Sequence, residues 1–158
     1  MKSVPRISRR SFLQSSAVVA GSSLAAGLSR SAWAAPAGAN DAIRIGVVGL
    51  GNQGTNHLKR LLPRKDVRVT ALCDVDPERV GRAVHLLEGK ISPFTTTHAR
   101  EVFARADVDA VIIVSCNHWH ALHTVWACDA GKDVYVEKPM SHTVWEGRKM
   151  VEAARRNK

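Results

Sequence analysis

Short apolar runs alternate along this chain with segments in which apolar residues recur every three or four positions. From residue 41 onward the apolar runs predict five strands, at residues 43–48, 67–73, around Phe94, 110–114 and 134–136. The run at 110–114 lacks an apolar–polar alternation, which is typical of parallel strands that are covered on both faces. Because helical segments separate the runs, the pattern predicts an α/β fold with a doubly wound parallel sheet.

The predicted helices carry local start and stop signals. Asp76 precedes Pro77 as an N-cap, and Gly89 ends that helix. Thr143 and Glu146 form a T-x-x-E capping box that opens the last helix. Further helices are predicted over about 54–62, 99–104 and 119–130. One side of the 119–130 helix is predicted to carry Trp119, Leu122 and Trp126.

Composition and charge narrow the class of protein. The chain has 158 residues and 45% hydrophobic content, which suits about one globular domain. Its formal charge is +9, but five of the 23 basic residues lie in 1–35, which leaves 18 basic against 14 acidic residues. No basic run interleaved with aromatic residues is present, so nucleic acid is not an expected partner. The three cysteines, Cys73, Cys116 and Cys128, form no CxxC pair and are interpreted as small apolar core residues.

The first 34 residues read as an export signal. Residues 8–14, SRRSFLQ, resemble the twin-arginine signal of the Tat pathway, with Gln14 departing from its usual last residue. The soft apolar stretch that follows, residues 17–28, is shorter than the roughly 20 apolar residues that span a bilayer. The tripeptide AWA predicts cleavage after Ala34. The expected organisation is therefore a signal peptide at 1–34, a linker at 35–41 and a nucleotide-binding domain at 42–158, exported by the Tat machinery to the periplasm or beyond.

A glycine motif follows the first predicted strand. Residues 49–54 read GLGNQG and fit G-x-G-x-x-G between a strand and a helix, which is the arrangement that holds a dinucleotide pyrophosphate. Its cofactor-binding candidates are five residues, Gly49, Gly51, Asn52, Gln53 and Gly54. Asp74 follows Gly54 by 20 residues at a strand end, where a carboxylate can accept bonds from the adenosine ribose. The Asp74 carboxylate would repel a 2′-phosphate, which favours NAD over NADP, although nearby Arg79 leaves that choice open. The alternative to dinucleotide binding is a simple glycine turn in which Asp74 caps the strand end.

Polar residues also end the fourth and fifth strands. The segments SCNHWHA and AGKDVYVEKPMSHT, together with GLGNQG and ALCDVD, resemble the glucose–fructose oxidoreductase, inositol dehydrogenase and MocA family (Gfo/Idh/MocA) over residues 42–158. The resemblance implies that Lys138 is catalytic, beside the nicotinamide and the substrate hydroxyl. It implies that Glu137 orients Lys138 or contacts the nicotinamide ribose. Ser115, Asn117 and His120 match the family's cofactor contacts.

Some of these residues have simpler interpretations. Cys116 stands where the family has proline, which leaves the local loop geometry open. His118, His120 and His123 lack an acidic or cysteine partner at ligand spacing, so no metal site is expected. His123 is interpreted as a surface or packing residue of its helix. Lys138 could be a solvated charge at a strand end.

The resemblance also implies parts that this chain lacks. Family members continue into a sixth strand and a second α/β domain that forms most of the sugar pocket and the oligomer interface. We therefore expect an incomplete Rossmann fold here, an inactive isolated chain, and a homo-oligomer only in a full-length form.

Three functions remain open from the sequence. The first is an exported NAD-dependent oxidoreductase, or its N-terminal fragment, acting on a sugar or polyol secondary alcohol. The second is a glycosidase of the same fold that recycles bound NAD. The third is a truncated, catalytically inactive binding module. Because the Tat pathway carries folded proteins, a cofactor loaded before export would have to be tightly held.

Overall fold

The computed structural model describes residues 42–157, and a parallel sheet of five strands runs through them in the order β3-β2-β1-β4-β5. The strands are β1 (Ile43–Val48), β2 (Val67–Cys73), β3 (Phe94–Thr96), β4 (Ala110–Ile113) and β5 (Asp133–Val136). The helices are α1 (Asn52–Leu61), α2 (Pro77–His85), α3 (Ala99–Phe103), α4 (Asn117–Asp129) and α5 (Val144–Asn157). The prediction of a doubly wound parallel α/β sheet is confirmed, and the strand order is Rossmann-like.

Two apolar clusters, one for each face of the sheet, explain why the strands lack alternation. On one face Leu58 of α1 packs with Val47 and Leu72, whose neighbours in the sequence point the other way. On the opposite face Val48 and Ala71 join a second cluster. Residues of α3 and α4 belong to that cluster, namely Val102, Phe103 and Ala127. Successive strand residues are thus buried on alternating faces, so nearly every position is apolar.

The N-terminal signals of α2 and α5 form as predicted, whereas α2 ends at His85, four residues before the predicted stop at Gly89. The Asp76 side chain accepts a hydrogen bond from the Glu78 amide at 2.9 Å, with Pro77 at the start of α2. At α5 the Glu146 amide donates to Thr143 Oγ1 at 3.1 Å, and the Thr143 amide donates to Glu146 Oε2 at 3.0 Å. Both helices therefore begin where a side chain satisfies amides that the first turn leaves without partners.

The predicted side of α4 forms only in part: Trp119 and Trp126 lie together, with ring centroids 6.5 Å apart, and Trp126 packs on the second apolar cluster. Trp119 and Leu122 are 42% and 41% exposed, whereas His120 and His123 are buried. The reason is tertiary: α4 packs against α3, α5, β4 and β5, so it is covered on more than one side. His120 has partners for both of its ring nitrogens and His123 has one for its Nδ1, as described below. Contacts with distant elements, rather than the spacing of apolar residues along α4, therefore decide which of its side chains are buried.

The cysteines divide by position. Cys73 and Cys128 are buried and free, as predicted, and burial raises the pKa of the Cys73 thiol to about 12. Cys116 is free but exposed, so its interpretation as a core residue is wrong: it lies immediately before α4, at the edge where the loops emerge. Between residues 42 and 157, no helix combines the length and the apolar character needed to cross a membrane.

Candidate functional site

An open cavity of about 670 Å³ lies at the carboxyl edge of the sheet. It sits between the loops after β1, β2 and β4, where the strand order reverses from β1–β2 to β1–β4, the usual ligand crevice of open α/β sheets. Four predicted site residues line it: Gly49, Gly51, Asp74 and Ser115. The other predicted residues lie outside its lining: Asn52, Gln53, Gly54, Asn117, His120, Glu137 and Lys138.

The turn from β1 into α1 leaves no room for side chains at two of its glycines. Gly49 has a φ of +98°, and a Cβ there would lie 2.4 Å from the Val114 carbonyl carbon. A Cβ on Gly54 would lie 1.9 Å from the Gly49 carbonyl oxygen. At Gly51 a Cβ would meet only the Arg79 guanidinium, at 3.2 Å. The spacing of the motif thus follows from a tight turn and from close packing of the helix on the strand.

The N-terminus of α1 offers amides to an anion. Gly51 is the N-cap and supplies no side-chain bond, and the Thr55 amide donates to the Gly51 carbonyl at 2.8 Å. Asn52 and Gln53 are exposed in the first turn, and Gln53 Oε1 accepts a bond from Asn56 Nδ2 at 3.1 Å. An uncapped N-terminus beside a glycine turn suits a pyrophosphate.

Asp74 holds the loops together from the end of β2. Its side chain is buried; Oδ2 accepts from the Leu50 amide at 2.6 Å and Oδ1 accepts from the Asp76 amide at 3.0 Å. Asp74 therefore does cap the end of β2, as one of its two interpretations predicted. Each carboxylate oxygen has a second lone pair, so the ribose contact remains compatible with these bonds and stays a prediction.

Arg79 crosses this part of the cavity. Its Nε lies 3.3 Å from Asp76 Oδ2, and its Nη1 lies 4.0 Å from Asp74 Oδ2. The guanidinium is about half exposed. Its Nη1 also lies beside Gly51, where it would be 3.2 Å from a Cβ. Two carboxylates therefore balance the positive charge that could otherwise attract a 2′-phosphate.

His120 bridges the loops after β4 and β5. Its Nε2 lies 2.8 Å from the Ser115 carbonyl oxygen and its Nδ1 lies 2.8 Å from the Pro139 carbonyl oxygen. A neutral imidazole donates to one of these carbonyls, and a doubly protonated ring donates to both. The side chain is 2% exposed, so it acts on the site by holding two loops together.

His123 packs beneath the same loop. Its Nδ1 lies 3.1 Å from Ser115 Oγ, and its ring stacks on Trp119 with centroids 5.3 Å apart. Burial, and to a smaller extent His120, lowers the pKa of His123 to about 4. Of the two roles predicted for His123, the structure supports packing. In the described part of the chain, no group of three or more His, Cys, Asp or Glu residues is arranged to hold a metal ion.

The EKP segment follows β5. Glu137 Oε1 lies 2.8 Å from His57 Nε2, and Glu137 Oε2 accepts from the Lys138 amide at 3.0 Å. These contacts, with the one to His57 the larger, hold the pKa of Glu137 below its usual range. Lys138 is exposed, as is Pro139 after it, while Asn117 opens α4 and is half-buried.

Sequence reasoning missed His57. It lies on α1 three residues after Gly54, which places it one turn further along the helix that leaves the glycine loop. Its partner Glu137 is 80 residues away, and no local pattern indicates that pairing. The only available signal was its place on the same helix as the motif.

Comparisons with known proteins agree with this geometry. Residues 43–158 match the family model GFO_IDH_MocA, described as an oxidoreductase family with an NAD-binding Rossmann fold. A glycosyl hydrolase family 109 protein of Shewanella pealeana is 30% identical over 122 residues, covering 73% of this chain and 27% of that protein. Inositol 2-dehydrogenase 3 of Saccharopolyspora erythraea is 34% identical over 112 residues, covering 70% of this chain and 32% of that protein.

A solved structure shows the same fold. The WlbA dehydrogenase of Chromobacterium violaceum, in complex with NADH and UDP-GlcNAcA, superposes with a TM-score of 0.69 at 27% identity. The match covers 75% of this chain and 34% of that one. The chain thus spans about a third or less of the length of the relatives that it matches.

The glycine turn generates a stability prediction. Gly54→Ala puts a methyl group against the Gly49 carbonyl and is expected to cost about 1–3 kcal/mol or more of unfolding free energy. The matched control is Gly81→Ala in α2, where a Cβ meets nothing within 4 Å. It is expected to stabilise by about 0.5–1 kcal/mol through helix propensity. Urea unfolding followed by circular dichroism measures both, and equal stability of the two variants would contradict the packing argument.

Proposed function

The chain belongs to the Gfo/Idh/MocA oxidoreductase family, with its NAD-binding Rossmann fold, and on that premise we propose that it forms the cofactor-binding part of an NAD-dependent oxidoreductase. The substrate class that we propose is a secondary alcohol of a sugar or polyol. One observation carries the proposal: the Gly49–Gly54 turn, the uncapped N-terminus of α1 and Asp74 share one edge of the sheet.

The residues present fit a dinucleotide. The first amides of α1 would hold the pyrophosphate, and Asp74 would accept bonds from the adenosine ribose. Ser115 and Asn117 would contact the cofactor from the loop after β4, with His120 fixing that loop. Glu137 would face the nicotinamide ribose. The dinucleotide, when bound, supplies the hydride acceptor.

Lys138 is the proposed acceptor of the substrate's hydroxyl proton. It is exposed at the end of the EKP segment, while its own amide is held by Glu137 Oε2. In its neutral form the Nζ amine can take the proton as the alcohol carbon is oxidised to a ketone, which is ordinary general-base chemistry.

The charges around the ribose position support NAD over NADP. Asp74 would repel a 2′-phosphate, and Arg79, which could attract one, lies against Asp76 and close to Asp74. We therefore propose NAD as the cofactor, with NADP bound less well.

We propose a substrate class and an oligomeric assembly for a full-length protein of this family, rather than for these 158 residues alone. An inositol dehydrogenase and a UDP-sugar complex among the relatives support a sugar or polyol. Those relatives are about three times as long as the aligned region. We expect their additional length to form the substrate pocket and the homo-oligomer interface, so that these 158 residues alone bind NAD without turnover.

A second function is favoured by the glycosyl hydrolase family 109 relatives. In a glycosidase of this fold, oxidation at C3 of a sugar acidifies the C2 proton and permits elimination of the C1 substituent. Addition of water at C1 and reduction at C3 then complete hydrolysis, so no reduced cofactor accumulates. This alternative requires a cofactor that stays bound through the cycle.

Export by the twin-arginine pathway is also proposed. It rests on the arginine pair, the soft apolar stretch and the AWA site, all of which lie outside the described residues. A tightly held NAD, loaded before export, follows from this proposal because a folded protein would carry its own cofactor.

Cofactor binding tests the main proposal. Asp74→Asn keeps one oxygen for the Leu50 amide, but it loses the bond from the Asp76 amide and removes the charge that would bind the ribose. We expect NAD affinity to fall about tenfold, as for loss of a hydrogen bond to a charged group, and the NAD/NADP preference to narrow. Isothermal titration calorimetry measures the dissociation constants of NAD and of NADP. Asp133→Asn, at the opposite edge of the sheet, is the control, and an unchanged affinity and preference in Asp74→Asn would refute the assignment.

Turnover separates the candidate reactions. The chain is incubated with NAD and either myo-inositol or a nitrophenyl N-acetylhexosaminide, and NADH and nitrophenol are followed by absorbance. We expect neither product from the 158-residue chain. Accumulating NADH would contradict this and identify a dehydrogenase; nitrophenol without NADH would contradict it and identify the recycling glycosidase.

The export signal is tested by a conservative double change. Arg9→Lys with Arg10→Lys keeps the charge but is expected to retain the protein uncleaved in the cytoplasm of a Tat-competent bacterium. The unchanged protein is expected in the periplasmic fraction with a mass that lacks residues 1–34. Arg6→Lys, just outside the pair, is the control. Normal processing of the double variant would rule out the twin-arginine route.

A further inference from the structure

His57 connects helix α1 to the EKP segment, both of which the proposed cofactor would touch. Its Nε2 lies 2.8 Å from Glu137 Oε1, and the two side chains are only 18% and 15% exposed. The Tyr135 ring packs edge-on against the imidazole, with centroids 5.6 Å apart and planes at 61°. The ring is thus held by packing on one side and by a carboxylate on the other.

The carboxylate is held at both of its oxygens. Oε1 contacts His57, and Oε2 accepts from the Lys138 amide at 3.0 Å. By contrast, the ion pair of Arg82 with Glu78 on α2 is far more exposed, at 66% and 83%. Exposed pairs of that kind contribute little. A pair that is mostly shielded from water and joins distant segments restricts the rotamer of each partner far more.

We propose that His57 is a positioning residue that holds the Glu137 carboxylate toward the nicotinamide ribose and so couples α1 to the EKP segment. This inference rests on the proposed function, because it needs a dinucleotide at the carboxyl edge of the sheet.

One helix then serves both halves of the cofactor. The first turn of α1 faces the proposed pyrophosphate position, and His57 stands one turn later on the same rigid element. A carboxylate already held in one rotamer loses less conformational entropy when it accepts a ribose hydroxyl than a free glutamate does. His57 also fixes the residue whose oxygen holds the Lys138 amide, so the proposed catalytic segment is positioned with it.

Fragment affinities test this role. ADP carries the adenosine and both phosphates but no nicotinamide ribose, so only NAD reports contacts at Glu137. In His57→Leu we expect NAD affinity to fall about tenfold, the usual effect of a lost charge-assisted hydrogen bond, with ADP affinity within about twofold of wild type. His57→Gln, which can still donate to Glu137, is expected to restore most of the NAD affinity. His85→Leu, an exposed histidine on α2, is the control and should change neither ligand.

A double-mutant cycle tests the pairing. If His57 acts through Glu137, His57→Leu combined with Glu137→Gln weakens NAD no more than the stronger single variant does. In the unliganded chain, Glu137→Gln should also shift the ring ¹⁵N and Hε1 resonances of His57, but not those of His85.

The outcomes separate this inference from the proposed function. Equal losses for NAD and ADP in His57→Leu, additive losses in the cycle, or NAD affinity unchanged from wild type would overturn the positioning role alone. A wild-type chain that binds ADP and NAD equally weakly, or binds neither, would overturn the proposed function and this inference with it.

Discussion

The close packing of the β1–α1 turn is the constraint on which the rest of the site depends. Gly54 lies against the Gly49 carbonyl, and Gly49 lies against the backbone at Val114 and Ser115, so no side-chain atom fits at either glycine. This contact sets the distance between α1 and the sheet and places the loop after β4 beside the helix N-terminus. Asp74 then fixes the turn from the next strand by accepting the Leu50 amide.

Side-chain bridges carry that constraint to the other loops. His120 spans the carbonyls of Ser115 and Pro139, which joins the loops after β4 and β5. His57 reaches from α1 to Glu137, which joins the glycine turn to the EKP segment. Each bridge uses a largely buried polar side chain, and such a group is stable only when its partners are in place. The loops therefore hold one another before any ligand is considered.

Features that depend on neighbouring residues could be predicted from the sequence, and features that depend on distant partners could not. The strand runs, the glycine turn and the caps at Asp76 and Thr143 are encoded within a few residues, and the structure contains them. The buried face of α4 and the bond between His57 and Glu137 are decided by elements far away in the chain. A histidine also gives no periodicity signal, because it is buried only where partners for its ring nitrogens exist.

The bridges bear on which of the two candidate reactions suits this scaffold. A dehydrogenase that exchanges its cofactor at each turnover needs loops that open, whereas a recycling glycosidase needs a dinucleotide that stays. Loops already held by His120 and by the His57–Glu137 pair lose little entropy on binding, which strengthens retention without any added contact with the ligand. An exported protein has the same need, since it would have to keep the NAD with which it folded. Loop preorganisation and the proposed export therefore favour the same answer, which is a resident cofactor.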